Sequence, residues 1–380
     1  MDIVTILKAA VKHDASDVFI TAGRPTSLKV NGRLATLSKD SLSDDDARDL
    51  VMSTMSDIQK KEFERDKECN YSISSAGQGR FRVSALYQRN KMAMVLRRIK
   101  DQIPSIEELH VPEIIKELSM TKRGMIIFVG ATSSGKSTTL AAMIGYRNQN
   151  STGHILTIED PIEFDHDHAG CVVTQREVGI DTESYEVALK NSLRQAPDVI
   201  MIGEIRERKI MDFGITFSET GHLCLSTLHA NNANQAMDRI INFFPEERHK
   251  QLFLDLSLNL KAVVAQRLIP KQDGTGRCVA VEVLINTPLI ADLIEKGDIP
   301  GIKEVMKRSG EQGMQTFDQA IYALYMANEI SYEEAIKNAD SENEVRLKIK
   351  LGPRDGAEIG AGADKLSIRP EEDESVQAYR

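Results

Sequence analysis

One short segment constrains the fold more than any other part of the chain. Residues Gly130–Ser137 match the pattern G-x-x-x-x-G-K-[ST] without a mismatch. An apolar run, Met125–Val129, precedes this segment, and a helical pattern, Ser137–Tyr146, follows it. Strand, glycine-containing loop and helix in this order predict a phosphate-binding loop at the edge of a parallel sheet, and a chance turn before a helix is the alternative.

The residue types in this loop indicate how it would bind a nucleotide. Glycines and small residues let successive backbone N–H groups surround a β-phosphate at the N-terminus of a helix. Lys136 is expected to contact the β- and γ-phosphates, and the Ser137 hydroxyl is expected to bind Mg²⁺. The residues predicted to bind ATP are Gly130, Ala131, Thr132, Ser133, Ser134, Gly135, Lys136, Ser137 and Thr138.

Apolar strand patterns and helical patterns alternate in the part of the chain around this loop. The predicted strands are Met125–Val129, His154–Ile158, Val199–Gly203 and His222–Ser226. Such alternation is typical of a parallel sheet with helices on both faces, so the predicted fold class is α/β. Helical patterns dominate from Pro245 to Ile349, and we expect a helical region there.

Residues 1–100 have a different pattern, typical of a small α+β domain with a meander-like sheet. Its predicted elements are helices at Ile3–Val11 and Ser43–Met55, strands at Val18–Thr21, Ser27–Val30, Arg33–Leu37, Gly79–Gln88 and Lys91–Ile99, and a hairpin turn at Asn31–Gly32. Pro104 and Pro112 indicate a linker at 101–112. The ATPase domain is predicted at 113–290 and a helical region at 291–351. The tail, 352–380, is rich in Gly, Asp and Glu, which predicts disorder.

Composition and charge exclude several classes of protein. The 380 residues carry a net charge of −9, so no overall basic field attracts nucleic acid or an anionic membrane. The four cysteines are scattered, as is typical of reduced thiols in the cytoplasm. The N-terminus has no secretory signal pattern, and the apolar runs are too short to cross a bilayer. We expect a cytoplasmic protein that binds no nucleic acid, does not insert into the membrane and reaches it through a partner.

Two of the predicted strands end in carboxylates. One is followed by Glu204, and another by Glu159 and Glu163. ATP hydrolysis needs a group that orders the metal and a base that positions water. Because ligands bind at the carboxyl edge of such a sheet, we expect Glu163 and Glu204 to be catalytic, with Glu163 as the base. Glu204 and Glu159 are also expected to bind the metal with Ser137. Solvated acids at strand ends are the alternative.

Two histidines flank another predicted strand. His222 begins this strand and His229 follows it. We expect both side chains to face the same sheet edge, where they would act near the γ-phosphate as catalytic or positioning groups. A hydrogen-bonded structural role is the alternative for either histidine.

The order of these motifs is similar to that of a known family. The phosphate loop is followed by Ile158–Glu163, by Gly203–Arg206, and by Glu219–His222 with Thr227–His229. In this order and spacing they resemble the Asp box, Walker B and His box of the secretion ATPase superfamily, the motors of type IV pili and type II secretion. The resemblance covers about residues 1–352. It implies a PAS-like N-terminal domain, a RecA-like P-loop core, and ATP and Mg²⁺ as cofactors.

Within this superfamily the chain resembles the short retraction branch, the PilT/PilU kind, because it lacks the paired C-x-x-C insertion of the longer ATPases. The segments Asn259–Gln266 and Gly313–Asp318 agree with this branch. Leu289–Glu295 lacks two arginines of the corresponding PilT segment, Ala-Ile-Arg-Asn-Leu-Ile-Arg. Together with the acidic tail, this resembles the accessory PilU-type ATPases. It implies a PilT-like paralogue and an inner-membrane pilus platform protein as partners, with peripheral association at the inner membrane.

The resemblance also implies a hexameric ring in which the N-terminal domain of one subunit closes over the nucleotide of a neighbour. The two phosphate-contacting arginines of the family fall on Arg82 and Arg97. Solvent-facing arginines are the alternative, and Arg80 shares a strand face with Arg82. Because Pro104 and Pro112 break the linker, contact within one subunit would need a tight fold-back, so we expect the contact in trans.

These observations predict an ATP-hydrolysing motor for type IV pilus retraction. Two other readings stay open: an ATP-binding regulatory ring subunit that docks on a catalytic paralogue, and an ATPase for pilus assembly or type II secretion. The acidic balance of the chain weighs against a nucleic-acid translocase built on the same core.

Overall fold

The computed structural model describes residues 2–30, 32–75, 79–99 and 102–351. Its helices are α1 (Ile3–Lys12), α2 (Asp44–Ser53), α3 (Asp57–Asp66), α4 (Ile114–Ser119), α5 (Lys136–Asn150), α6 (Tyr185–Ser192), α7 (Arg208–Glu219), α8 (Ala233–Asn242), α9 (Glu246–Asn259), α10 (Pro288–Lys296), α11 (Ile299–Arg308), α12 (Phe317–Met326), α13 (Tyr332–Asn338) and α14 (Glu342–Leu351). Its strands are β1 (Asp17–Thr21), β2 (Ser27–Val30), β3 (Arg33–Thr36), β4 (Glu68–Ser75), β5 (Gly79–Gln88), β6 (Lys91–Ile99), β7 (Gly124–Val129), β8 (Gly153–Glu159), β9 (Cys171–Glu177), β10 (Val199–Ile202), β11 (Leu223–Leu228), β12 (Leu260–Pro270) and β13 (Arg277–Ile285). Asn31 of the predicted hairpin turn and the predicted tail, 352–380, lie outside the described residues.

The N-terminal part forms an antiparallel sheet in the order β3-β2-β1-β6-β5-β4. Alternate residues of its strands point into a core with α1 and α2, where Ile6, Val18, Phe81 and Leu96 are buried. The small α+β arrangement agrees with the prediction from the sequence. Strand β4 and helix α3 were not predicted, although the alternation of apolar and polar residues along β4 carries the signal for a half-buried strand.

The second sheet has the order β13-β12-β7-β11-β10-β8-β9, and its strands are parallel from β12 to β9. Every residue of β7 and of β11 is buried, because helices cover both faces. The carboxyl ends of β7, β8, β10 and β11 meet at one edge of this sheet. The α/β core predicted from the alternation of strands and helices is confirmed.

The prediction of a mainly helical region from Pro245 to Ile349 is wrong for part of that range. Strands β12 and β13 form an antiparallel pair there, and β12 also pairs with β7. Helix α9 ends at Asn259 and β12 begins at Leu260, so no turn residue separates them. Strand β7, more than a hundred residues earlier, and the following strand β13 provide the pairing that makes this segment extended. The helical region is present from α10 to α14, and in the described part of the chain no helix has both the length and the apolar character to cross a membrane.

A buried carboxylate joins the sheet to the C-terminal helices. Glu282 of β13 is only 2% exposed, and it accepts the backbone N–H of Ala233 at 2.8 Å and that of Phe317 at 3.2 Å. These residues begin helices α8 and α12, where the helix dipole favours a negative charge. Burial raises the pKa of Glu282, and the two N–H donors oppose that rise. The carboxylate therefore holds two helix N-termini against β13.

The change Glu282→Ala should lower the free energy of unfolding by about 2–4 kcal/mol, because two buried N–H groups lose their acceptor and a cavity opens. Urea denaturation followed by circular dichroism measures this effect. The control is Glu311→Ala at an exposed position, which should change the free energy of unfolding by less than about 0.5 kcal/mol. Equal denaturation midpoints for the two variants would contradict the role of Glu282.

Candidate active site

The phosphate loop lies where the sequence predicts it, between the end of β7 and the start of α5. Gly130 cannot be replaced without a shift, because an added Cβ would lie 2.5 Å from Ser134 Oγ and 2.6 Å from the Gln266 carbonyl oxygen. Gly135 caps α5 with a φ of 94°, in the left-handed region that favours glycine. Local backbone geometry therefore favours glycine at Gly135, whereas Gly130 is required both by Ser134 of the loop and by Gln266 of β12.

Lys136 is buried beside its own loop. Its Nζ donates hydrogen bonds to the carbonyl oxygens of Gly130, at 2.8 Å, and Ala131, at 2.9 Å. Burial lowers the pKa of Lys136, and the carboxylates of Glu204 and Glu163 oppose this by favouring the charged form. The ammonium group is thus positioned between the loop and the two predicted carboxylates.

A cavity of about 240 Å³ opens at the carboxyl edge of the sheet. The predicted site residues that line it are Thr132, Ser133, Lys136, Ser137, Glu159, Glu163, Glu204 and His229. The structure therefore brings three predicted carboxylates and one predicted histidine to the phosphate loop. The lining also includes Tyr185 and Thr227, which the sequence did not single out.

The carboxylate of Glu204 is held by two cationic or titratable partners. Arg206 Nε donates to Glu204 Oε2 at 2.8 Å, and His229 Nε2 lies 3.1 Å from Glu204 Oε1. A second nitrogen of Arg206, Nη1, lies 3.8 Å from Asp160 Oδ2. Arg206 therefore links the end of β10 to the end of β8. Sequence reasoning quoted it only as part of a motif.

The two carboxylates that follow β8 have different environments. Glu159 is 8% exposed, and its Oε1 accepts hydrogen bonds from Thr157 Oγ1 at 2.6 Å and from Gln175 Nε2 at 3.2 Å. Burial raises the pKa of Glu159 to about 7, against the effect of these donors. Glu163 is exposed and lines the cavity from the loop beyond β8. Glu163 is thus the more accessible of the two to water.

The prediction that both histidines face the same edge is wrong for His222. Strands β7 and β11 are parallel, with Gly124 opposite Leu223 and Val129 opposite Leu228. His222 precedes β11 and therefore lies at the amino edge, where its carbonyl oxygen accepts the N–H of Gly124 at 3.0 Å. The two ends of a six-residue strand are about 20 Å apart, which separates this side chain from the phosphate loop. His222 Nδ1 instead lies 3.0 Å from Thr220 Oγ1.

A second cavity, of about 520 Å³, adjoins the phosphate loop on the side of the N-terminal sheet. Arg82, Arg97, Glu163 and the residues from Thr132 to Thr138 line it, all from one chain. Arg82 and Arg97 lie opposite each other on β5 and β6. Like charges in directly opposed positions destabilise a strand pair. Two opposed arginines are therefore typical of a site that binds an anionic ligand. Arg97 also has a carboxylate partner, because its Nε donates to Asp17 Oδ1 at 2.9 Å.

The sequence argued against contact within one subunit because that contact needs a tight fold-back of the linker, and the structure shows this fold-back. Ile106 of the linker is 2% exposed and packs in one core with Leu140 and Met143 of α5. The linker therefore lies along the helix that begins at the phosphate loop, and this brings the N-terminal sheet over the loop of the same chain. Burial of the apolar side chain of Ile106 outweighs the preference of the backbone near Pro104 and Pro112 for an extended conformation.

Comparison with known proteins agrees with this arrangement. The family described as Type II/IV secretion system protein matches residues 1–348. This chain belongs to that family. The Type IV pilus ATPase PilU of Pseudomonas aeruginosa is 62% identical to this secretion-family chain over 358 residues, which cover 94% of each protein. The type IV pilus retraction ATPase PilT of the same organism is 39% identical over 339 residues, covering 89% of this chain and 98% of that relative.

A solved structure extends the comparison to the fold. The crystal structure of the pilus retraction motor PilT with bound ADP matches 91% of this chain and 99% of its own, with a TM-score of 0.86 and 37% sequence identity. The resemblance to the secretion ATPases, and within them to the PilT/PilU branch, is confirmed. The predicted RecA-like core with a helical C-terminal region is confirmed as well.

Some residues that line the cavities at the phosphate loop were not predicted from the sequence. Leu268 and Arg277 of the β12–β13 hairpin line the second cavity. Both also line a third cavity, of about 530 Å³, together with Thr138 and the linker segment 108–111. No local pattern marks these residues, because the hairpin and the linker reach the loop only through tertiary packing.

Proposed function

We propose that this chain is an ATP-hydrolysing motor of type IV pilus retraction, acting as an accessory ATPase of the PilU kind. This proposal rests mainly on one observation: Lys136, Glu163 and Arg82 line adjoining cavities at one edge of the sheet. A family relative at 62% identity that is described as a type IV pilus ATPase supports it. The same architecture in a retraction motor solved with ADP supports nucleotide binding by this chain.

The proposed chemistry assigns one role to each group. Lys136 neutralises charge on the β- and γ-phosphates, while the backbone N–H groups of the loop hold the β-phosphate. Glu163, the exposed carboxylate, positions the attacking water and accepts its proton. Arg82 and Arg97 stabilise the charge that develops on the γ-phosphate oxygens. His229 and Arg206 hold the carboxylate of Glu204 in place.

Mg²⁺ is the proposed cofactor, with Ser137, Glu204 and Glu159 as the candidates to hold it. All three line the cavity of about 240 Å³, and their oxygen atoms are the ligands that Mg²⁺ prefers. Such sites need only one or two carboxylates beside the substrate phosphates, so this donor set fits. When bound, Mg²⁺ supplies positive charge at the β- and γ-phosphate oxygens.

The third cavity is the proposed position of the base and ribose. It begins beside Gly135 and Thr138 at the start of α5, and apolar side chains such as Leu109, Leu268 and Val279 line it. A mostly apolar wall with a few polar groups is suited to a planar base. The linker then contacts the nucleotide directly and can respond to its presence.

The proposed assembly is a hexameric ring that cooperates with a PilT-like paralogue and a platform protein of the inner membrane. The ring would associate with the cytoplasmic side of that membrane through the pilus machine. Retraction measured in cells tests this proposal. Cells that lack this chain should regain normal retraction with the wild-type gene but not with Lys136→Ala, and cells that lack the paralogue should not retract with this chain alone.

Two outcomes would favour a different function. Full retraction with Lys136→Ala would indicate a regulatory ring subunit that needs no hydrolysis of its own. Stimulation of ATP turnover by added DNA would indicate a nucleic-acid translocase. The net charge of −9 argues against the second of these classes.

A mixture of Arg97→Ala subunits and Lys136→Ala subunits should not recover ATP turnover. Arg97 and Lys136 line one cavity within a single chain, so a mixed ring would contain no site with both groups. Loss of a phosphate-contacting arginine can lower the rate about 10³–10⁵-fold, which leaves a low background against which recovery is visible.

The measurement is the steady-state ATPase rate of the mixture after subunit exchange has been verified. The control mixes Arg97→Ala subunits with wild-type subunits. The ATPase rate of this mixture should be proportional to its fraction of wild-type subunits. Recovery in verified mixed rings would contradict contact within one chain and support the trans arrangement implied by the family resemblance.

A further inference from the structure

One guanidinium group connects the N-terminal sheet to the α/β core beside the active site. Arg80 of β5 has its Nη1 atom 3.1 Å from Asp165 Oδ1 and its Nη2 atom 3.5 Å from Glu177 Oε2. The side chain of Arg80 is 20% exposed and that of Glu177 only 3%. An ion pair that is largely removed from water in this way is more sensitive to geometry than a surface pair.

The second partner of this arginine also holds the loop that carries Glu163. Glu177 Oε2 accepts the backbone N–H of Ile162 at 3.4 Å, and Ile162 is the neighbour of Glu163. Gln175, on the same strand as Glu177, donates from Nε2 to the carbonyl oxygen of Phe164 at 2.9 Å. Strand β9 thus fixes the loop on both sides of Glu163, and Arg80 binds to that strand.

Arg80 and Arg82 share a face of β5 and have different surroundings. Arg82 lines the cavity at the phosphate loop, whereas Arg80 is paired with two carboxylates of the core. The two residues are about 7 Å apart along the strand, so a shift of β5 at Arg80 also moves Arg82. The position of the sheet, the position of Arg82 and the backbone next to Glu163 are therefore linked through one side chain.

We propose that Arg80 is a positioning residue that docks the N-terminal sheet on the loop 160–164, and so sets the distance of Arg82 from the phosphate loop and the orientation of Glu163. This inference rests on the roles proposed above for Arg82 and Glu163. The contacts of Arg80 themselves are independent of those roles. The bidentate reach of a guanidinium explains why arginine is needed, since a lysine ammonium cannot span both carboxylates equally well.

The test compares Arg80→Gln with Lys91→Gln in the full-length chain. Lys91 is a matched control, because its ion pair with Asp44 lies entirely within the N-terminal part. Arg80→Gln should lower kcat by about 10–100-fold, since small displacements of catalytic groups have effects of this size. ADP affinity should stay at the wild-type value, and hydrogen exchange of backbone amides in 160–168 should become faster. The melting temperature should fall, because Glu177 is left as a buried charge without this partner. Lys91→Gln should change none of these quantities.

Two further variants separate docking from a general loss of structure. Arg80→Lys should give an intermediate kcat, because lysine keeps the positive charge but lacks the bidentate geometry of the guanidinium group. As a single variant, Asp165→Asn should lower kcat. In the Arg80→Gln background it should add no further loss, since both changes break the same contact. Unchanged exchange in 160–168 for Arg80→Gln, or a full additional loss in the double variant, would overturn the proposal.

The failure of the proposed function is distinguishable from the failure of this inference. If Arg82→Ala hydrolyses ATP at the wild-type rate, the phosphate contact proposed for Arg82 is refuted. Faster exchange in 160–168 for Arg80→Gln would still support the docking role in that case, because it reports the Glu177–Ile162 contact and not turnover.

Discussion

Replacement of Lys136 by alanine should abolish ATP turnover and leave the fold intact. Its ammonium group lies inside the phosphate loop, only 2.8 Å and 2.9 Å from two loop carbonyl oxygens, and the side chain is 8% exposed. No other cation of the described loop, 130–138, can replace it, because the remaining residues there are glycine, alanine, serine and threonine. The loss in kcat should be at least about 10²–10³-fold, the usual effect of removing one preorganised donor from a transition state.

Phosphate release and nucleotide affinity are the quantities to measure for Lys136→Ala. Both should fall, while the melting temperature should stay near that of the wild type. Lys190→Ala is a matched control, because Lys190 is an exposed lysine on α6 and distant in sequence from the phosphate loop. A folded Lys136→Ala protein that hydrolyses ATP at the wild-type rate would refute the phosphate-loop assignment.

The variants Glu163→Gln and Glu204→Gln should each bind ATP and lose hydrolysis by about 10² or more. Glutamine keeps the shape of the side chain, but it can neither accept the proton of water nor carry the charge that attracts Mg²⁺. Both carboxylates line the cavity of about 240 Å³ beside Lys136. Glu204→Gln should also loosen His229 and Arg206, because Glu204 is their common partner.

Binding of a fluorescent ATP analogue, measured separately from phosphate release, distinguishes chemistry from affinity in these two variants. The control is Glu186→Gln, which should not affect turnover, because the Glu186 carboxylate on α6 pairs with Lys209 of α7. Wild-type turnover in either active-site variant would reduce that glutamate to a structural acid. Lost binding in both variants would instead place the two carboxylates in the nucleotide pocket without a separate role in chemistry.

Several elements of this protein were predictable because their determinants are adjacent in sequence. The phosphate loop consists of eight consecutive residues between an apolar strand and a helix, and local geometry requires the glycine at Gly135 because its φ is 94°. The start of α2 is another case, since Ser43 Oγ accepts the N–H of Asp46 at 3.1 Å as an N-cap. The adjacent strands β5 and β6 were also predicted with their observed bounds.

The position of carboxylates at the sheet edge was predictable for a related reason. Parallel strands have their carboxyl ends at one edge, so Glu159, Glu163 and Glu204 had to lie near the phosphate loop once the sheet was recognised. The same rule, applied to the amino end of β11, would have excluded His222. That error came from treating both ends of one strand alike.

Other features depended on contacts between distant parts of the chain, which local sequence does not encode. Strand β12 joins the parallel sheet because it pairs with β7, and the linker folds back because Ile106 is buried against α5. Arg80 and Arg82 have the same parity on β5, and only the positions of Asp165 and Glu177 give them different surroundings. By itself, the sequence of this protein determined its phosphate loop, its α/β class and its carboxylates, because short-range geometry and strand direction control them. Tertiary packing alone decided which arginine of β5 lines the cavity at the phosphate loop, because burial and ion pairing depend on residues that are far apart in sequence.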